Sequence, residues 1–571
     1  MISAFAVAPV VLITLLIGLR GVAAMRTTSD FLVASRRVSP LLNSAAVSGE
    51  YLSAASFLGV AGLVVKDGIG SLWYPVGFTA GYIAMLVLVA APMRRSGALT
   101  VPDFAEARFA SPALRRVTAI IILVIGGLYL VPQFRTAGLV LSAVSNSPYW
   151  VGVVIAGAGV AVTLALGGMR AATYVQAFQF VLKLFLFIVP AIWLLIQVGP
   201  QTRDEAVHPV EFTEFDHDTR VTFSVGTTLT FTEPTTIRIG RTSETKTGDW
   251  TVPQGSIVTF PAGEHVPDVA GEARPGGAGW ERPLLDLKDD GHPLLGTWAL
   301  VVALALGTMG LPHVIMRFHT SPDGRAARRT AAFTVALLGI FYLFPGIYGV
   351  LGRVLVPQLY LSGATDTVVV ALPARVDSGW PGDTFTALLT GGAFAAFLAT
   401  SLGFVLVVSG AISYDLLPGG GLGRLRFTVV AVTAVVVLLA LQAIRFDAGI
   451  LVTWAFTVAA STFCPLLVLG IWWPRLTVAG AMTGVLVGLC ASSGAIACTL
   501  WGLPVNGWLA ILVAQPAPWS VPLAFVVMIV VSSRGRPPSW SRTAMLRLHL
   551  DEARLTSPAD RLRALRDEDV T

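Results

Sequence analysis

Charged side chains are scarce in this 571-residue sequence. Asp, Glu, Lys and Arg together make up 13% of the residues, hydrophobic residues make up 54%, and the mean hydropathy is +0.74. So little charge cannot cover several soluble domains, which excludes a soluble multidomain protein. Apolar runs of about twenty residues recur along the chain, and each can cross a bilayer as a helix. The sequence therefore predicts an all-α polytopic membrane protein whose surroundings are the lipid bilayer.

Cysteine is equally rare. The three cysteines, Cys464, Cys490 and Cys498, lie in apolar segments, so neither a disulfide framework nor a cysteine metal site is indicated. No cofactor motif and no nucleophile–base arrangement appears within the spans, so we expect no cofactor and no enzyme. The net charge of +6 does not indicate a nucleic-acid partner, because most arginines lie in short loops between apolar runs. No obligate protein partner is evident.

We predict thirteen membrane spans, and Lys and Arg in the connections predict their orientation. One side carries seventeen basic residues and the short connections of the other side carry four, which places the N-terminus outside and the C-terminus in the cytoplasm of a cell-membrane protein. We expect the first span to be retained and not cleaved as a signal peptide. The predicted spans lie near 2–20, 42–63, 73–93, 117–143, 149–168, 173–198, 296–316, 331–352, 384–414, 427–446, 449–473, 477–501 and 516–533.

One long polar stretch, 201–292, separates the sixth and seventh spans on the outer side. Its segment TRVTFSVGTTLTFTEPTTIRI (219–239) alternates Thr with Val, Phe, Leu and Ile, a pattern typical of strands. We therefore predict a small β-rich extracytoplasmic cap and not a disordered loop. Because closure entropy grows only with the logarithm of loop length, we expect transport to survive removal of 201–287.

Two spans carry helix breakers together with polar groups. The stretch NSAAVSGEYLSAASFLGVAGL (43–63) is interrupted at Ser48, Gly49 and Glu50, and LGTMGLPHVIMRF (306–318) contains Pro312, which predicts a break near 308–311. Interrupted spans in corresponding positions of two halves indicate a transporter binding site. If the first helix is peripheral, spans 2 to 6 and 7 to 11 form two inverted five-helix halves.

This organisation divides the chain into six parts. The peripheral first helix and its loop (1–41) precede the first half of the core (42–200), and the insert (201–292) separates that half from the second (293–475). Two additional transmembrane helices (476–533) and a cytoplasmic tail (534–571) follow.

Five stretches resemble the sodium:solute symporter family, most closely its cation–acetate (monocarboxylate) branch. They are SGEYLSAASFLG (48–59), GGMRAATYVQ (167–176), GTMGLPHVIMRF (307–318), SYDLL (413–417) and FCPLLVLGIWWPRLTVAGAMTGVLVG (463–488). The resemblance implies an inverted five-plus-five core, alternating access and uptake of a small monocarboxylate with Na⁺ as the coupling ion.

The resemblance also implies where Na⁺ binds. The family site uses backbone carbonyls of the broken second span, which match Gly49 and Leu52, and hydroxyls of the ninth span. Counting back from Asp415 places those hydroxyl positions at 399 and 400, whereas this chain offers Thr400 and Ser401, displaced by one residue. Oxygen ligands of this kind suit a hard cation. The alternative is that both hydroxyls bond back to their own helix.

Candidate substrate residues lie on the broken spans and on the fourth span. Arg135 can hold the carboxylate of the solute bidentately, or it can pair with Glu50 when no solute is bound. On an ideal helix Arg135 points away from Gln133, which slightly favours the second possibility. For Lys183 we expect a snorkelling or carbonyl-bonded structural role instead of a ligand role, and for His313 a gate or a helix-break hydrogen bond. The substrate candidates are Glu50, Ser53, Ser56, Tyr129, Gln133, Arg135, Thr308, Gly310 and His313.

Two alternatives to Na⁺ symport stay open. One is coupling to protons, in which Glu50 carries the proton. The other, of a different class, is a transporter-like sensor that binds solute and signals through a partner. We expect transport, because no histidine-kinase extension follows the last predicted span.

Overall fold

The structure is a computed structural model of the chain. It describes residues 6–20, 27–145, 147–208, 210–223, 226–253, 255–269, 280, 293–417, 421–443, 448–502, 505–537 and 541–550. Part of the predicted insert (270–279 and 281–292) and most of the predicted tail (551–571) therefore lie outside the described residues.

Helices make up most of the described chain. Before the insert they are α1 Val7–Arg20, α2 Thr28–Val33, α3 Pro40–Tyr51, α4 Val60–Asp67, α5 Trp73–Leu88, α6 Ala90–Arg95, α7 Val101–Phe109, α8 Pro112–Ser145, α9 Tyr149–Gln197 and α10 Pro200–Val207. After it they are α11 Pro293–Gly310, α12 Pro312–His319, α13 Gly324–Tyr342, α14 Pro345–Leu355, α15 Val368–Val376, α16 Trp380–Gly410, α17 Leu422–Gln442, α18 Ala448–Trp472, α19 Val478–Leu500, α20 Trp508–Ala514, α21 Ala517–Arg534 and α22 Ser541–His549.

Each predicted span has a helical counterpart. Within the described ranges, ten helices are long and apolar enough to cross a membrane, and the bent pair α3–α4 makes an eleventh span. The 49-residue α9 changes direction at Gly168, whose φ of 52° and ψ of −150° are not helical, so α9 provides two of the predicted spans. The shorter apolar helix α1 accounts for the first. The prediction of an all-α polytopic membrane protein is confirmed.

The outer surface of the helix bundle is apolar. Large side chains such as Phe427 and Leu438 on α17 are 73% and 63% exposed. Apolar side chains exposed along a helix of this length are suited to lipid and not to water. The bilayer therefore accounts for this surface.

The two halves of the core are built alike. In each half the first helix packs on the last one, α3 on the second part of α9 and α11 on α18. Glycine permits both contacts: a Cβ on Gly49 would lie 2.1 Å from the carbonyl oxygen of Gln176, and one on Gly307 would lie 2.5 Å from that of Phe456. The corresponding contacts fit the inverted repeat that the sequence predicts.

Both predicted helix breaks are present. Between α11 and α12 the break lies at Leu311, because Pro312 has no N–H to offer the Thr308 carbonyl, and the Leu311 amide bonds to that carbonyl instead, at 3.3 Å. Between α3 and the π-helical turn Ala55–Gly59 the chain bends by 68°. This break lies at Leu52 and Ser53, after the predicted positions 48–50, since Gly49 is helical and its missing Cβ serves packing.

The insert contains the predicted sheet. Strands β1 Thr219–Thr222, β2 Thr227–Ile239, β3 Thr242–Val252 and β4 Ile257–Phe260 pair antiparallel in the order β1-β4-β2-β3, and β5 Asp268–Val269 pairs with β2. Alternating residues of β1 and β2 form its apolar core, to which Tyr360 and Leu361 of the transmembrane part contribute.

One further residue of the insert, Trp280, contacts the broken helix. Its indole Nε1 donates to the Val64 carbonyl at 2.8 Å, and a Cβ on Gly68 would lie 2.2 Å from the Trp280 carbonyl oxygen. The insert therefore touches the half of the broken span that begins after the bend.

Candidate functional site

The break after α3 frees backbone carbonyls deep inside the bundle. Because Ser53 donates its N–H to Tyr51 at 2.7 Å, the Gly49 carbonyl loses the partner that a continuing helix would supply. The carbonyls of Gly49, Glu50 and Leu52 instead accept hydrogen bonds from side chains of other spans. A cluster of oriented carbonyls at a helix C-terminus carries partial negative charge and attracts a cation.

Lys183 of α9 supplies the cation at this break. Its fully buried ammonium donates to the Gly49 carbonyl at 2.5 Å and to the Leu52 carbonyl at 2.7 Å. These are the two carbonyls that the sequence resemblance implies for Na⁺. Lys183 is thus carbonyl-bonded, as the sequence analysis expects, and it lies at the predicted ion site.

One of the two predicted hydroxyl ligands reaches the carbonyls of the break. Thr400 donates from Oγ1 to the Glu50 carbonyl at 2.5 Å, whereas Ser401 Oγ is buried without a hydrogen-bond partner among the described residues. Thr400 therefore does not bond back to its own helix. Predicted ligands from α3 and α16 are thus brought together here. The Gly49 and Leu52 carbonyls, however, are bonded to the side chain of Lys183 and not to a metal ion.

Glu50 forms a buried ion pair, but not with Arg135. Its Oε2 accepts from Nε of Arg317 at 2.6 Å, and both side chains are at most 2% exposed. The Arg317 guanidinium also donates to Thr173 Oγ1 at 2.8 Å and to Gln176 Oε1. The expected Glu50–Arg135 pair is therefore wrong. The helix that begins after Leu311, α12, places Arg317 beside the Glu50 carboxylate instead.

The carboxyl group of Glu50 has room only because its neighbour on α16 is glycine. A Cβ on Gly403 would lie 1.6 Å from Glu50 Oε1, and this oxygen has no hydrogen-bond partner in the described part of the chain. Glu50 therefore has one oxygen paired with Arg317 and one buried oxygen without a hydrogen-bond partner among the described residues.

A hydrogen bond links the two broken spans directly. The Tyr51 hydroxyl lies 2.8 Å from Thr308 Oγ1, and Thr308 in turn donates to the Leu304 carbonyl at 2.7 Å. The substrate candidate Thr308 thus lies at the contact between both halves. Gly310 does not: a Cβ there would lie 2.4 Å from the Ala459 carbonyl, so its role is close helix packing.

The fourth span completes the polar cluster. From α8, Gln133 accepts at Oε1 from the Ala54 amide at 3.1 Å, and the Tyr129 hydroxyl lies 3.4 Å from Ser53 Oγ. The Tyr129 ring is 5.7 Å from the His313 ring, which lies against Phe404 with centroids 3.7 Å apart and the planes tilted by 35°. Four predicted substrate residues, Ser53, Tyr129, Gln133 and His313, are thus brought together beside the first break.

Several donors of this cluster are unused. Gln133 Nε2 and the two ring nitrogens of His313, of which a neutral imidazole donates through one, are buried without a hydrogen-bond partner among the described residues. An unpaired buried donor is unfavourable unless a ligand or water satisfies it. The cluster can therefore donate several hydrogen bonds to an acceptor-rich solute.

Arg135 lies away from this cluster, in a larger cavity toward the end of the bundle that carries the sheet. This cavity has a volume of about 590 Å³ and is lined by Arg135 and Thr136 of α8, by Arg220 of β1 and by Asp366. We name it the vestibule. Two of its lining residues are arginines, which suits the approach of an anion.

A smaller cavity continues from the vestibule to the break. Its volume is about 30 Å³, it shares Thr136 and Asp366 with the vestibule, and it reaches Ala54 and Ala55. Such a space holds no more than a couple of water molecules. A solute larger than water does not fit in this cavity unless the structure opens. The last substrate candidate, Ser56, bonds to the Tyr342 hydroxyl at 2.9 Å.

Sequence reasoning missed Arg317, which it counted among the loop arginines on the cytoplasmic side. The signal that could have found it is its position inside the stretch GLPHVIMRF, five residues after Pro312 and before the polar residues that end α12. The helix α12 begins at Pro312, and Arg317 lies about one and a half turns further along it. At this position the Arg317 side chain is completely buried.

Two halves of five spans, each opened by a broken helix whose break carries polar groups, define a secondary active transporter of the inverted-repeat type. Solved structures agree on this fold. A Na⁺-coupled sialic acid symporter in its substrate-bound outward-open state has a TM-score of 0.65 at 12% identity, covering 94% of this chain and 98% of that one. Mhp1, a nucleobase-cation-symport-1 family transporter, has a TM-score of 0.53 at 13% identity, with 91% and 99% coverage.

The chain belongs to the sodium:solute symporter family, whose sequence model matches residues 31–238 and 291–488. Family membership implies Na⁺ as the coupling ion, and it makes the protein a transporter and not an enzyme. An uncharacterized symporter of Bacillus subtilis, YwcA, is 27% identical over 521 residues, 88% of each chain. A monocarboxylic acid transporter of Corynebacterium glutamicum is 27% identical over 555 residues, 92% of this chain and 90% of that one.

Proposed function

We propose that the protein imports a small, acetate-like monocarboxylate across the cell membrane by alternating access, coupled to a cation gradient. The observation that carries this proposal is the cluster of unused buried donors, Gln133 Nε2 and the His313 ring, at the break of the first broken span. A carboxylate is acceptor-only, so these donors match it. A neutral solute with donors of its own would leave some of them unpaired.

The vestibule supports the same substrate class. Arg135 and Arg220 raise the local concentration of anions at the mouth of the path, and Thr136 continues the lining toward the break. We propose that the sheet and the vestibule face the outside, because the basic residues of the connections favour the opposite side for the cytoplasm. The relative that is named a monocarboxylic acid transporter adds support.

Two coupling ions are candidates. Na⁺ is the ion that the family implies, with Gly49, Leu52, Thr400 and Ser401 as its ligands. The contacts of Lys183 with the first two carbonyls favour H⁺ as the second candidate, since they place the side-chain nitrogen of Lys183 where Na⁺ would bind. Proteoliposomes given either an inward Na⁺ gradient or an inward pH gradient, each without the other, separate the two.

The substrate class is tested by uptake of labelled acetate into proteoliposomes. We expect competition by propionate and pyruvate and none by acetamide, a neutral analogue of acetate of the same shape. Empty liposomes control for the diffusion of acetic acid through the lipid. Equal competition by acetamide would contradict recognition of the carboxylate, and saturable binding without uptake would favour a solute sensor.

A further inference from the structure

The carbonyls released by the break of α3 all have hydrogen-bond donors. Gly49 and Leu52 accept from Lys183, Glu50 accepts from Thr400, and Tyr51 accepts from the Ser53 amide at 2.7 Å. The carbonyl cluster that attracts a cation is therefore satisfied by groups of the chain itself. The only charged group among these donors is the ammonium of Lys183.

A sodium ion does not fit beside this ammonium. An ion held by the Gly49 carbonyl lies about 2.5 Å from its oxygen, and Lys183 Nζ is 2.5 Å from the same oxygen. The two like charges would then be at most about 5 Å apart. Both would be buried, where repulsion is screened far less than in water.

The described residues of the break include one carboxylate, and its charge is already offset. Glu50 is the acidic residue next to Gly49, and it is already paired with Arg317 at 2.6 Å. The break therefore holds one carboxylate and two cationic side chains, Arg317 and Lys183. Adding Na⁺ would place a third positive charge among side chains that are buried in the bundle, where an uncompensated charge is unfavourable.

We infer that the ammonium of Lys183 takes the place of the sodium ion at this break, so that this protein does not bind Na⁺ there and its uptake does not require Na⁺. Lys183 is thereby the residue that determines ion specificity. It supplies the single positive charge that the helix ends need, from a position fixed by α9. The part of this inference that concerns uptake rests on the proposed function. The part that concerns ion binding does not depend on the proposed function.

The test measures ion binding and needs no knowledge of the solute. Purified protein in detergent is unfolded by heat in NaCl, KCl or choline chloride at one ionic strength. An ion that binds only the folded protein raises the unfolding midpoint in a saturable way. We expect the wild type to unfold at the same midpoint in all three salts, and we expect Lys183→Ala to gain a rise that is specific for Na⁺.

Two further variants identify the site. Adding Thr400→Ala and Ser401→Ala to Lys183→Ala should abolish the gained Na⁺ effect, because it removes the hydroxyl that reaches the Glu50 carbonyl together with the neighbouring hydroxyl. Gln179→Ala, one turn away on α9, is the matched control: it deletes the hydrogen bond from Gln179 Nε2 to Thr14 Oγ1. We expect it to lower the midpoint equally in every salt.

A Na⁺-specific, saturable rise in the wild-type midpoint would overturn the inference, and this result does not depend on whether Lys183→Ala folds. A folded Lys183→Ala protein that is indifferent to Na⁺ would also overturn it. Uptake gives a separate readout: wild-type uptake should continue when external Na⁺ is replaced by choline, and complete loss would contradict the inference. Absence of saturable acetate uptake would instead refute the proposed substrate and leave the salt comparison unaffected.

Discussion

The ion pair between Glu50 and Arg317 leads to the prediction that the double variant is more stable than either single variant. Both side chains are buried, and Arg317 Nε lies 2.6 Å from Glu50 Oε2. Removing one partner of a buried pair typically costs about 3–5 kcal/mol, because the other charge is left uncompensated, whereas replacing both can be nearly neutral. Glu50→Gln and Arg317→Gln should therefore each lower the unfolding midpoint, and the double variant should recover most of the loss.

Hydrogen bonds around Arg317 refine the magnitude. In Glu50→Gln the guanidinium keeps its bond to Thr173 at 2.8 Å and its bond to Gln176. Hydrogen bonds to charged groups contribute about 1.5–3 kcal/mol each. Glu50→Gln should therefore be near the lower end of the range. Arg317→Gln, which loses all three contacts, should be near the upper end.

The assay is a double-mutant cycle on purified protein in detergent, with the thermal midpoint and the fraction of monodisperse protein as readouts. Residues in contact deviate from additivity, whereas distant residues without shared partners give losses that add. Glu50→Gln combined with Arg135→Gln is the matched control, and its losses should add. Additive losses for Glu50 and Arg317 as well would refute the pairing.

Three further predictions concern other parts of the molecule. Gly49→Ala should lower the folded yield sharply, because its Cβ would meet the Gln176 carbonyl oxygen at 2.1 Å; a normal yield measured by fluorescence-detected size-exclusion chromatography would contradict the close contact. Gln133→Leu should raise the half-saturation concentration for acetate in proteoliposomes, because it removes the proposed donor to the carboxylate, and it should also lower the thermal midpoint, because the Ala54 amide loses its acceptor; an unchanged half-saturation would remove Gln133 from the substrate site. Trp280→Phe keeps an aromatic ring but loses the 2.8 Å hydrogen bond to the Val64 carbonyl. Loss of a bond worth about 1 kcal/mol should make limited proteolysis of the insert several-fold faster. An unchanged rate would show that this contact does not hold the insert.

Local chemistry made much of this fold predictable. The spans follow from runs of apolar residues, and the break at Leu311 follows from the missing N–H of Pro312. The strands of the insert follow from the alternation in 219–239. In each case the cause and the effect lie within a few residues of one another.

The position of the first break was less predictable. Glycine permits both unwinding and close packing, and the sequence alone does not distinguish them. At Gly49 the neighbour is the backbone of α9, more than 120 residues later in the chain, and the helix continues to Tyr51. The two possibilities separate only when the position of α9 is known.

The ion site shows the same limit in its chemistry. Backbone carbonyls are present at every residue, so a motif that matches a carbonyl-based site predicts where oxygens converge and not what they bind. At Gly49 and Leu52 the outcome depends on a side chain 131 residues beyond Leu52, whose ammonium reaches both oxygens. Two members of one family can therefore share the broken helix and its carbonyls and still differ in the cation that completes them. A lysine placed as Lys183 is, by this reasoning, a stronger indicator of the ion than the motif that supplies the carbonyls.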